Sequence, residues 1–126
     1  MKPKSAAGIT LIVTDLAKSI KFYTDLGLDF KSQNENTATG YLNWYWVELV
    51  SQESLTSDSY VNEANLQPRG SGLYLNFSTD DIDAFHQHFI DRGHKPSTQP
   101  TKQLTGRTEF IINDPDGYNI VIFSKK

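Results

Sequence analysis

Apolar and polar positions along the chain mark its elements before any residue chemistry is considered. Ile9-Thr10-Leu11-Ile12-Val13 is apolar and β-branched, as a strand requires. From Asp15 the period changes: Leu16, Ile20, Tyr23 and Leu26 recur at helical spacing, and Gly27 ends the run. Thr14 or Asp15 supplies the capping oxygen for the unpaired amides of the first turn. Asp29 to Gln33 and Tyr41 to Val50 then read as strands, separated by the turn-rich Asn34-Glu35-Asn36-Thr37. The second of these is either one strand or two short ones.

The same order then repeats. Leu73-Tyr74-Leu75-Asn76-Phe77 alternates as a strand, Thr79-Asp80 opens a helix with Ile82, Phe85 and Phe89 on one face, and Gly93 closes it. Thr14-Asp15 recurs as Thr79-Asp80 and Gly27 as Gly93, at offsets of 65 and 66 residues. The pattern is that of a duplicated βαβββ unit within one domain spanning 1–126. Module one covers about 5–52, a linker about 53–71, and module two about 72–124. The linker is rich in Ser, Asp, Asn, Gln and Gly, and Tyr60 and Leu66 are its candidate anchors. Near the end, Asp114-Pro115-Asp116-Gly117 has proline and glycine where a type I turn prefers them. It joins Phe110-Ile111-Ile112 to Ile120-Val121-Ile122-Phe123 as a hairpin.

Composition narrows the picture. The chain has 126 residues, 37% apolar and 21% charged, which suits a globular domain. A net charge of -3 gives no electrostatic reason to expect nucleic acid as a partner. The absence of cysteine excludes disulfides, thiolate metal sites and cysteine nucleophiles. No apolar stretch approaches membrane-spanning length, and the one near the start is too short for a signal segment, so no membrane partner and a cytoplasmic location are expected.

Three stretches, ITLIVTDLAKSIKFYTDLGLDF, LYLNFSTDDIDAFHQHFIDRGHKP and GRTEFIINDPDGYNIVIF, make the sequence resemble the vicinal-oxygen-chelate superfamily of glyoxalases, bleomycin-resistance proteins and dioxygenases. The resemblance implies an α+β fold in which two tandem βαβββ modules form a curled mixed sheet around a concave cup. In metal-using members, inward-facing strand residues hold a divalent ion, usually through His, Glu or Gln. Those positions fall here on Gly8, Glu48, Tyr74 and Val121. Glycine and valine have no donor and neutral tyrosine is a poor one, so the resemblance implies a branch with no metal and no other cofactor, close to the bleomycin-resistance proteins.

The candidate ligand-binding residues are Trp44, Trp46, Glu48, Tyr74, Asn76, Arg107 and Tyr118. If Tyr41 to Val50 is continuous, Trp44 and Trp46 share a face with Glu48, an aromatic and acidic platform suited to a flat or cationic ligand. Glu48 pairs there with a ligand cation or with Arg107. Tyr74 and Asn76 offer hydrogen bonds, Arg107 precedes a lining strand, and Tyr118 lies at the rim. His86 and His88 point about 200° apart around one helix and share no metal; His94 is expected to be exposed. Asp114 and Asp116 are explained by their turn, and Asp80, Asp81 and Asp83 by a helix N-terminus.

No phosphate-binding glycine loop, nucleophile elbow or Ser/His/Asp arrangement is present. The expectation is a metal-independent protein that sequesters a small aromatic or cationic molecule, as a homodimer, with no catalytic residue assigned. The alternatives are a divalent-metal lyase, isomerase or extradiol dioxygenase of the same superfamily, a metal-free enzyme with Glu48 as base, and an interaction module without ligand.

Overall fold

The structure is a computed structural model that describes residues 1–55 and 69–125. Tyr60 and Leu66, the expected linker anchors, lie outside the described residues. The chain divides into two compact units, Met1–Leu66 and Gln67–Lys126.

In unit 1, β1 (Gly8–Val13) leads into α1 (Leu16–Leu26), followed by β2 (Asp29–Gln33), β3 (Thr37–Leu42) and β4 (Tyr45–Ser51). The sheet order is β1-β4-β3-β2, with β1 parallel to β4 and the other pairs antiparallel. Asp15 is the N-cap of α1, its carboxylate accepting from the Lys18 amide at 3.1 Å. Gly27 ends the helix at a φ of 121°, a region that favours glycine, and its amide returns to Tyr23 and Thr24. Helix α1 packs on one face of the sheet, against β3 and β4; Phe22, Tyr23 and Leu26 are buried on the helix, and Leu11, Val13, Val47 and Leu49 are the buried alternate strand residues. Period-2 alternation therefore assigns the opposite, open face to Gly8, Thr10 and Ile12 on β1 and to Trp46, Glu48 and Val50 on β4.

Unit 2 repeats the plan with β5 (Tyr74–Ser78), α2 (Ile82–Asp91), β6 (Thr101–Lys102), β7 (Thr108–Asn113) and β8 (Asn119–Ser124), in the order β5-β8-β7-β6. Phe110, Ile112, Ile120 and Ile122 form the strand side of its core, and Ile82 and Phe89 the helix side. The helix starts one residue later than Thr79-Asp80 suggests, because the Asp81 carboxylate reaches the Ala84 amide at 3.0 Å and makes Asp81 the N-cap. Its buried face also differs. His86 lies in the core, edge-on to Phe110 at 5.0 Å, while Phe85 is half-buried and stacks on Phe89 at 5.2 Å. His94 is half-buried rather than exposed, its ring 5.8 Å from that of Phe89.

Two tandem βαβββ units in an α+β chain are what the sequence predicts. Among the described residues, no helix is long and apolar enough to cross a membrane.

Candidate ligand-binding site

The stretch from Tyr41 to Val50 decides the site in unit 1, and it is not continuous. It forms the end of β3 and most of β4, joined by a tight turn in which Asn43 takes a positive φ of 56°. Trp44 therefore belongs to the turn, not to the Glu48 strand face. It is 65% exposed and packs edge-on against Tyr45 at 5.6 Å.

Trp46 and Glu48 do share the open face of β4, and both reach across to β1. Parallel pairing sets Gly8 beside Trp46 and Thr10 beside Glu48. The Trp46 ring lies so close over Gly8 that a β-carbon there would overlap its fused-ring carbons. Glycine is thus required by close approach: the indole lies where any side chain at position 8 would begin. One step along, the Thr10 hydroxyl donates to Glu48 Oε1 at 2.9 Å. Antiparallel pairing adds Tyr41 beside Trp46 and Thr39 beside Glu48. At the outer edge Asp29, paired in register with Tyr41, is bonded to Lys31 at 2.9 Å. The hydrogen bond that Lys31 donates to Asp29, and then the charge of Asp29, raise the Lys31 ammonium above its ordinary pKa. Of these two carboxylates, Asp29 has a cation beside it; among the described residues Glu48 has the Thr10 hydroxyl.

The open face of unit 2 is built differently. Tyr74 is 53% exposed at the start of β5, and its carbonyl accepts from the Asn76 side chain at 3.2 Å. Arg107 lies 4.1 Å over the Phe123 ring and bonds Glu109 at 2.9 Å. Its carboxylate partner is therefore Glu109 rather than Glu48, an i, i+2 pair that period-2 spacing could have suggested. Tyr118 sits at the other end of β8, five residues and roughly 16 Å of strand from Phe123, with its ring against Gly70. Tyr118 and Arg107 are thus not brought together.

The closing turn holds a pairing the sequence reading missed. Asp114 Oδ1 accepts the amides of Asp116 and Tyr118, each at 2.9 Å, as a turn carboxylate should. Asp116 does more than complete the turn: it meets Arg69 at 3.3 Å, with both side chains nearly fully buried.

The transferred metal positions do not fit a divalent ion. In unit 1, Gly8 lies under an indole and Glu48 is the one donor. In unit 2, Val121 has none and Tyr74 is a phenol. Among the described residues no group of three or more His, Cys, Asp or Glu side chains is placed to hold a metal.

The fold and the sequence agree with a known family. The model of the Glyoxalase/Bleomycin resistance protein/Dioxygenase superfamily matches residues 6–122. The chain belongs to that superfamily. Solved structures give the same fold at low identity. A glyoxalase/bleomycin resistance protein/dioxygenase from Nocardioides superposes with a TM-score of 0.81 at 18% identity, covering 98% of this chain and 85% of that one. A glyoxalase-related enzyme from Fulvimarina pelagi gives 0.80 at 17%, covering 97% and 88%. A protein from the mobile metagenome of V. pseudocholerae gives 0.76 at 23%, covering 100% and 98%. These likenesses carry the superfamily fold and no particular activity. No curated protein matches the sequence.

Proposed function

We propose that this superfamily member is a metal-independent binding protein that sequesters a small aromatic or cationic molecule. The observation that carries the proposal is the Trp46 indole lying over Gly8 beside Glu48. Space that a metal ligand would need is taken by an aromatic ring, and the remaining carboxylate stands next to it. An indole face and a half-buried carboxylate recognise a ligand by stacking and charge, and neither needs a metal. The proposal includes a cytoplasmic location and a homodimer, whose mass sedimentation would report.

The test is a small-molecule screen followed through tryptophan fluorescence, with and without a chelator. Binding that survives chelation and is lost in Trp46→Ala or Glu48→Gln is expected. Binding or turnover that appears only after metal loading would instead favour a lyase, isomerase or dioxygenase.

A further inference from the structure

Resting on that reading, the geometry points to a more specific ligand class for unit 1: a planar organic cation with N–H donors, of the amidinium or guanidinium type, lying on Trp46 and donating to Glu48.

Three features converge on this class. First, Trp46 and Glu48 are two residues apart on β4, and each leans across onto β1, the indole over Gly8 and the carboxylate to Thr10. Successive same-face residues are about 7 Å apart along a strand, so the ring and the carboxylate lie side by side. A planar cation over the ring has its edge donors within reach of the carboxylate. Second, the Thr10 hydroxyl donates to Oε1 and orients the carboxylate, and among the described residues Oε2 is left for the ligand. A threonine hydroxyl neither neutralises the carboxylate nor supplies a competing cation. Third, the neighbouring acidic group on this face, Asp29, is already bonded to Lys31, so among the described residues the charge still to be balanced on this open face is that of Glu48. A donor-bearing planar cation meets both demands, because it stacks on an aromatic face and forms a charge-assisted hydrogen bond. An anion is repelled by the carboxylate whatever its shape.

The experiment uses three probes of one shape: benzamidinium, neutral benzamide and anionic benzoate. Each is titrated into the metal-free full chain carrying Trp44→Phe, which leaves Trp46 as the reporting tryptophan, with calorimetry as a second readout. Benzamidinium is expected to bind roughly tenfold or more tightly than benzamide, the usual return on a hydrogen bond to a charged group. Benzoate is expected to bind more weakly than either. Glu48→Gln should weaken benzamidinium far more than benzamide and close most of the gap between them. Thr10→Val, which frees the carboxylate to rotate, should weaken benzamidinium by a smaller factor. Circular dichroism confirms that each variant is folded.

The class is overturned if benzamidinium fails to bind at millimolar concentration, if benzoate matches it, or if Glu48→Gln leaves its affinity unchanged. Metal-free binding of benzamide or benzoate alone would remove the cation class and leave the binding function standing. Probes that bind only after metal is added would remove both.

Discussion

Gly8 on β1 lies beside Trp46 on β4, and at the matching step of the second unit Tyr74 on β5 lies beside Asn119 on β8. Thr10 beside Glu48 is answered by Asn76 beside Val121, and Ile12 beside Val50 by Ser78 beside Phe123. The two units share strand order and register, yet at the first of these steps the small and large partners have changed sides. In unit 1 the exchange lets an indole lie on a glycine and leaves a carboxylate facing a hydroxyl. In unit 2 the carboxylate, Glu109, sits on β7 and is neutralised by Arg107 above Phe123. The helix-facing residues set the frame in both units, because burial there favours apolar alternation, with small or packed polar residues such as Ser51, His86 and Ser124 among them. The open-face residues are free to diverge, and their internal charge balance decides which face can take a charged ligand.

Substitutions can break this contrast at several strengths. The largest effect belongs to unit 2, where Arg69→Ala would take a nearly buried ion-pair partner from Asp116 and cost about 3–5 kcal/mol. Urea denaturation would show the loss as a lowered midpoint. In unit 1, Gly8→His should cost about 1–3 kcal/mol or more, since the new side chain must displace both the indole and the Trp46 backbone carbonyl. Calorimetric titration with zinc should show that this imidazole does not create a tight metal site. Arg107→Ala removes a partly exposed ion pair and a ring contact together and should cost about 1 kcal/mol. Part of that difference from the parent should fade as salt is raised in the urea denaturation. The smallest stability effect, within about 0.5 kcal/mol, is expected for Glu48→Gln, whose amide oxygen can still accept from Thr10. A ligand effect without a stability effect at Glu48 would mark unit 1 as the binding face.

Local signals made much of the fold legible. Periodicity gave both strand–helix starts, Asp15 and Gly27 the ends of α1, and the Asp-Pro-Asp-Gly turn the last hairpin. The break between β3 and β4 was harder, because Leu42-Asn43-Trp44-Tyr45 contains no glycine or proline, and Asn43 adopts the left-handed conformation itself. The two-residue β6 has too few positions to show a period. Strand alternation puts Trp46 on the same face as Glu48, and the family resemblance singles out Glu48 itself. The indole over Gly8 depends on the register of a parallel pair whose strands are far apart in sequence, which no local pattern encodes. The Arg69–Asp116 pair was hidden for the same reason, since it joins residues 47 apart.

The central claim is that a ring has taken the place of a metal ligand, and metal content per chain tests it most directly. Untagged protein would be incubated with excess nickel, zinc, manganese and iron, desalted, and assayed by elemental analysis. The account predicts near-zero occupancy for every metal, with tryptophan emission unchanged throughout. One tightly held equivalent of any of them would contradict it and return the metal-dependent lyase, isomerase or dioxygenase reading to first place.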